Sequence, residues 1–301
     1  MGFSGEVGRR GLLIAGAGVL VGCSSSGESP SGAPSSASPS NTPPSSTPPV
    51  SMPAPTSTPS AVKLPVVRPW VAGPGEVAPQ VKRLAVAAVV KQLQQGQSVV
   101  EVIDAQYGGI LSSSASVLVP CRVYSLRDGR VVTGGTTVDV RMNKSGDTWR
   151  VMSLQPAKPG PAARTVSAVA RQVLATKAIQ LPPASIADIR SGQVHDSVLT
   201  AMLELAKTYR IGVSVIRSGH PINVFGTDRP SDHPRGRAFD TWEIDGHPVV
   251  SPQTSRSLIS TYMKALERAG SYNVGGPVML SGAAFFSDQT HHDHVHAGFR
   301  A

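Results

Sequence analysis

The stretch Ser231-Asp232-His233-Pro234-Arg235-Gly236-Arg237-Ala238-Phe239-Asp240 places an imidazole and a carboxylate seven positions apart around a glycine. Its counterpart near the C-terminus is His291-His292-Asp293-His294-Val295-His296. A divalent metal such as zinc takes imidazole nitrogen and carboxylate oxygen, and a hydrolytic site uses three protein ligands with one position left for water. His233, Asp240 and one histidine of the second cluster, His296, would supply those three.

The spacing has a geometric reading. Arg237 to Trp242 reads as a strand entered from a turn at Pro234–Gly236, with His233 on the loop before it and Asp240 facing inward. His294 and His296 are two apart, so on a strand they share one face. One can bind metal while the other meets water or substrate, and His291 could close the same pocket from a turn.

Ser-x-His-(x)6-Asp followed by His-x-x-His-x-His resembles the LAS-type zinc peptidases of bacterial cell walls. That group holds D-alanyl-D-alanine carboxypeptidases, dipeptidases and murein endopeptidases. The resemblance covers roughly residues 180–300. It implies that His233, Asp240 and His296 are zinc ligands, that His294 stands beside the attacking water, and that His291 is a further active-site histidine. The family also carries an arginine upstream of the first ligand, a place that Arg217 fits sixteen residues before His233. One feature departs: no glutamate stands just before His296, so proton transfer would fall to His294 or His291. The implied C-terminal fold is α+β, a central antiparallel sheet flanked by helices.

Outward from the two clusters, residues 1–23 read as an export signal. Arg9-Arg10 is followed by an apolar run, Leu12 to Val21, too short to span a membrane comfortably. It ends in Leu20-Val21-Gly22-Cys23, which resembles a bacterial lipobox and implies lipidation of Cys23 and an extracytoplasmic, membrane-anchored location facing the wall. The chain has two cysteines. With Cys23 lipidated, Cys121 has no partner and reads as a small buried hydrophobe; a Cys23–Cys121 disulfide competes only if the lipobox reading fails. Residues 24–62 are Ser, Pro, Thr, Ala and Gly, unable to bury enough apolar surface to offset ordering entropy. At about 3.1 Å per residue where polyproline-like, this linker reaches at most about 120 Å.

Residues 63–156 read as a small α+β unit, a helix on an antiparallel meander. Val77 to Leu93 has helical periodicity, with Val81, Leu84, Ala85, Ala88 and Val89 on one side. Val99 to Tyr107 is open between helix and strand. Three strand-like runs follow, Ser116–Leu126, Val131–Met142 and Thr148–Leu154, punctuated by turns. This unit shows no histidine cluster and no phosphate loop; spacing, wall contact or partner binding is the expected role.

A linker at 157–163 precedes the second unit, 164–301. Thr165–Ile179 and Val198–Tyr209 read as helices, with Ser185 and Asp196 as caps of short and long segments respectively. Ile211–Ile216 reads as a strand ending in Arg217-Ser218-Gly219-His220, a junction where active-site residues commonly sit. Arg217 offers a fixed charged fork for a peptide carboxylate or an oxyanion. Trp242 shares the face of Asp240 by alternation and backs the site, Ser231 lies beside it, and Asp293 orients an imidazole or faces solvent. Ser255–Ala269 reads as a helix covering the sheet, and Gly275–Phe286 as a loop that shapes a substrate groove.

The net charge of +9 comes without a dense Lys/Arg run and with few aromatics, which argues against nucleic acid and fits a soluble surface or attraction to anionic wall polymers. The functional expectation is a Zn2+-dependent metallopeptidase acting on peptidoglycan stem peptides or cross-links. The alternatives are a catalytically silent zinc-stabilised binding domain, as Hedgehog signalling domains resemble the same scaffold, and a structural lipoprotein with an empty histidine-rich site.

Overall fold

Alternation and turn chemistry in the N-terminal half produce a long antiparallel ribbon. The computed structural model describes residues 62–300, so the export signal, Cys23 and the linker up to residue 61 lie outside the described residues. Helix α1, Pro79–Leu93, opens on a proline at its first turn, where the missing N–H costs nothing. It is followed by β1 (Ser98–Val102), β2 (Gln106–Ile110), β3 (Ser114–Arg127), β4 (Arg130–Ser145) and β5 (Thr148–Pro156). The sheet runs β1-β3-β4-β5, with β2 paired to the other half of β3, all antiparallel. The ambiguous stretch before Tyr107 is therefore two strands. Helix α1 lies on this sheet, but its buried face is Val81, Lys82, Ala85, Val86 and Val89. Leu84, expected in the apolar stripe, is exposed, and a lysine takes a place inside.

The C-terminal half alternates helices and strands: α2 (Ala168–Ala175), β6 (Ile179–Gln180), α3 (Pro183–Arg190), α4 (Asp196–Leu205), β7 (Ile211–Val215), β8 (Ala238–Ile244), β9 (His247–Pro248), α5 (Arg256–Arg268), β10 (Asn273–Gly275), β11 (Phe285–Phe286) and β12 (Val295–Gly298). Their sheet runs β11-β10-β12-β8-β7-β6, with β9 on β8. The pairs are antiparallel except β10–β11 and β6–β7. Ser255 caps α5 by accepting from the Leu258 amide at 3.1 Å. The two expected caps fall differently. Ser185 lies inside α3, which starts after Pro182. Asp196 is the first helical residue of α4, its carboxylate accepting from Ser167 Oγ at 2.7 Å while Ser167 caps α2.

Each half has its own apolar core. One gathers Val81, Val89, Val117, Val119, Cys121 and Val140; the other gathers Leu199, Met202, Ile211, Phe239, Tyr262 and Phe299. Cys121 is free and buried, and burial pushes its thiol up to about 12, so it is inert at neutral pH. The described residues 62–300 nevertheless belong to one compact unit. Between the two cores, α3 packs against β3 and β4 and Leu111 against Gly226, while the buried polar contacts converge on the histidine clusters. No helix among the described residues is long and apolar enough to cross a membrane.

Candidate metal centre

Strand pleating decides which side chains reach the centre. Phe239 on β8 and Val295 and Ala297 on β12 are fully buried in the C-terminal core. Their neighbours Asp240 and His296 therefore point to the opposite face, toward the N-terminal half. The antiparallel register sets His296 directly across from Asp240. A one-residue slip of either strand would send that strand's own candidate ligand into the core.

His233 arrives from the loop between β7 and β8. Arg235 and Arg237 amides both donate to the Asp232 carbonyl, and the Gly236 amide donates to the His233 carbonyl at 2.8 Å. Gly236 sits at φ +70°, and an added Cβ there would lie 2.0 Å from the Gln193 carbonyl oxygen, so only glycine closes this turn. The His233 Nδ1–H donates to the Ile216 carbonyl at 2.7 Å, which leaves Nε2 as a lone pair.

That nitrogen lies 3.1 Å from Asp240 Oδ1 and 3.1 Å from His296 Nδ1, and the latter two are 3.0 Å apart. Three donors thus form a near-equilateral triangle. For a tetrahedral ion with bonds of about 2.0–2.1 Å, the donor–donor edge is about 3.3–3.4 Å. The triangle fits such an ion after opening by a few tenths of an ångström, and its two imidazoles and one carboxylate are the donor chemistry zinc takes. His220 stacks on His233 with ring centroids 4.0 Å apart and offers a nitrogen within 4.8 Å of the His233 and Asp240 donors. Burial and neighbouring His233 push its pKa well down, which keeps it neutral.

His294 stands beside the triangle. Its Nδ1–H donates to Asp293 Oδ1 at 2.6 Å, and Nε2 lies 3.8 Å from Asp240 Oδ2. Burial opposes its charge, but Asp240 and Asp293 outweigh burial and raise its pKa. Asp293 stays ionised despite burial because the Lys82 ammonium, 2.6 Å away, and His294 hold its pKa down. The Tyr107 amide completes its partners at 3.0 Å. Asp293 therefore orients an imidazole from a buried position. His291, from a 3-10 turn at Thr290–His292, pairs through Nδ1 with Asp288 at 2.7 Å and packs edge-on to Phe286. Ser231 Oγ accepts from the His233 amide at 3.3 Å.

A cavity of about 880 Å³ opens over these groups. Its floor is His233, Asp240, His294 and His296; its walls include Ser231 and His291, the Ala283–Phe286 stretch, and Tyr107–Leu111 from the N-terminal half. Two expected residues do not reach it. The Arg217 guanidinium turns to Asp188 (3.7 Å), the Pro159 carbonyl (3.4 Å) and Gln193, because buried Asp188 also captures the Arg217 and Ser218 amides. Trp242 lies one pleat beyond Asp240, where its indole covers Gly212; a Cβ on that glycine would sit 2.9 Å from Trp242 Nε1. Register irregularities between β7 and β8 carry it off the site. The guanidinium groups that do line the cavity belong to Arg229 and Arg235, both exposed at its mouth.

The larger omission from the sequence reading is the N-terminal half. Gln106 is fully buried and donates from Nε2 to Asp240 Oδ2 at 2.6 Å. Its amide oxygen accepts from Ser214 Oγ on β7. Lys82 bridges Asp293 and Glu76, and the Val77 amide donates to His292 Nε2 at 3.0 Å. Glu76, His292 and Asp293 form a second ligand-like group, but the Lys82 ammonium already occupies it. No local pattern marks Gln106 or Lys82; an amide and an amine are commonplace until burial is known. Comparison of the chain with family models, curated proteins and solved structures found no match.

Proposed function

We propose that the chain is a zinc-dependent hydrolase of peptide bonds in peptidoglycan stem peptides or cross-links, of the LAS peptidase kind, carried outside the membrane on a lipidated Cys23. The observation that carries this reading is the donor triangle of His233 Nε2, Asp240 Oδ1 and His296 Nδ1, with edges of 3.0–3.1 Å under an open cavity. The C-terminal sheet, antiparallel at its centre and with helices against its far face, supports the architecture that the resemblance implies.

When bound, zinc would supply a Lewis acid that polarises a scissile carbonyl and acidifies a water. The rest is done by the chain. His294 takes a proton from the attacking water at Nε2 and returns it to the leaving amine, while Asp293 fixes its tautomer through Nδ1. His291, half-buried and held by Asp288, stands where it can orient the substrate amide or share that proton. Arg217 takes no part, since its guanidinium is committed elsewhere. Arg229 and Arg235 are the cations available to an anionic group of the substrate.

The test is mass spectrometry of muropeptides after incubating purified peptidoglycan with the zinc-loaded full chain, with Asp240→Ala alongside. Loss of a terminal D-Ala, or splitting of cross-linked dimers, by the wild type alone establishes the activity and names its bond. Unchanged muropeptides with zinc shown to be bound would overturn the peptidase reading in favour of a silent binding domain.

A further inference from the structure

We propose that Gln106, from the N-terminal half, is a positioning residue of the metal site: it fixes the Asp240 carboxylate so that Oδ1 alone faces the donor triangle. This rests on the metal-site reading above, but not on the bond cleaved.

A carboxylate beside a metal has two oxygens and a soft torsion, so an unrestrained aspartate can swing between one-oxygen and two-oxygen binding. Here the oxygens are sorted. Oδ1 lies 3.1 Å from His233 Nε2 and 3.0 Å from His296 Nδ1. Oδ2 accepts from Gln106 Nε2 at 2.6 Å. The amide cannot be turned over, because an ionised carboxylate only accepts and Oε1 facing it would be repelled. Ser214 reinforces the choice by donating its hydroxyl to Gln106 Oε1, and it lies 3.3 Å from the Asp240 carbonyl on the neighbouring strand. Gln106 and Ser214 are both fully buried. Burying a primary amide is costly unless its hydrogen bonds are made, and Gln106 makes one with each end of its amide. Partners of this kind orient a metal ligand, and losing one typically costs about 10–100-fold in metal affinity.

The same contact changes what the N-terminal half is for. Gln106 begins β2, and the residues that follow it, Tyr107 to Leu111, wall the cavity. The half expected to serve spacing, wall contact or partner binding reaches into the centre and holds a ligand 134 positions away in the chain.

The experiment measures zinc affinity of the full chain by chelator competition, and the visible spectrum after cobalt substitution, for wild type, Gln106→Leu, Gln106→Glu and Ser214→Ala. Gln106→Leu is expected to weaken zinc about 10–100-fold. Gln106→Glu keeps the shape but sets acceptor against acceptor, so it should weaken zinc at least as much, which a purely packing role would not do. Ser214→Ala, the mildest change, should weaken zinc several-fold and decides the matter if either Gln106 variant fails to fold. Wild-type zinc affinity and an unchanged cobalt spectrum in the folded variants would overturn the proposal. A wild type that binds zinc but leaves peptidoglycan intact would sink the peptidase reading and leave this inference standing.

Discussion

The two halves of the molecule divide one task unequally. The C-terminal half supplies every donor of the triangle and the imidazoles beside it, on a loop and two strands. The N-terminal half supplies none of these, yet Gln106 and Lys82 hold their carboxylates from a buried interface. Candidate ligands and the groups that hold them therefore come from different stretches of chain. The difference teaches that a cluster can be complete in its donor atoms and still have its carboxylates held from a second core.

The largest expected effect tests the chemical side. Substituting His294 by Ala removes the group whose Nε2 faces the cavity but no corner of the triangle. Loss of general acid–base help should lower kcat by about 10²–10⁴-fold, with zinc content by elemental analysis unchanged. If zinc left with the imidazole, His294 would be a ligand and the division between donors and proton carrier would break.

The next test removes the cation of the interface. Lys82 is buried with Glu76 and Asp293, both nearly inaccessible. Lys82→Met keeps the apolar stem and takes the ammonium away from two buried carboxylates, leaving Asp293 only His294 and the Tyr107 amide. Breaking a buried ion pair from one side costs about 3–5 kcal/mol, read by urea unfolding of the full chain. Because Asp293 holds His294, kcat should fall in the fraction that remains folded. Unchanged stability would mean that water reaches the interface and that the N-terminal half is only a neighbour.

The clusters around His233 and His294 were legible because chemistry-bearing side chains lie close together in the chain and pleating sends alternate ones to one face. The strands β3 to β5 and helix α5 were legible for the same reason, as periodicity and caps are local. Gln106 and Lys82 were not. Their partners are 134 and about two hundred positions away, and nothing in Glu101–Tyr107 distinguishes a buried glutamine from a solvated one. Helix α1 was placed correctly but rotated: the stripe counted Leu84 as core, whereas burial chose Lys82 because three acids await it.

A smaller effect concerns the third of those acids. Asp104 lies between β1 and β2 with a buried oxygen lacking any partner among the described residues. Burial pushes its carboxyl from the ordinary 3.8 up to about 7, against the pull of Lys82. The folded chain thus keeps a proton that the unfolded chain releases in that window. The associated stability is full below about pH 4 and is lost as pH rises through about 7, at no more than about 1.4 kcal/mol per pH unit for one proton. Asp104→Asn does not titrate, so it should gain on the wild type as pH rises from about 4 to 7 in urea unfolding. Parallel stability curves would show that solvent or Lys82 keeps Asp104 ionised throughout.

The smallest expected effect on catalysis belongs to Arg217, and it separates sequence position from spatial role. The junction after β7 does send a side chain into the cavity, but that residue is His220, three positions later. Asp188 captures the Arg217 and Ser218 amides, and the guanidinium follows them toward Asp188, Gln193 and Pro159. Arg217→Ala should therefore cost about 1–3 kcal/mol of stability through lost charged hydrogen bonds and leave kcat unchanged. A fall in kcat by orders of magnitude at unaltered stability would return Arg217 to the site. It would require the loop from Ser218 to Ser231 to rearrange when substrate binds, drawing the guanidinium off Asp188.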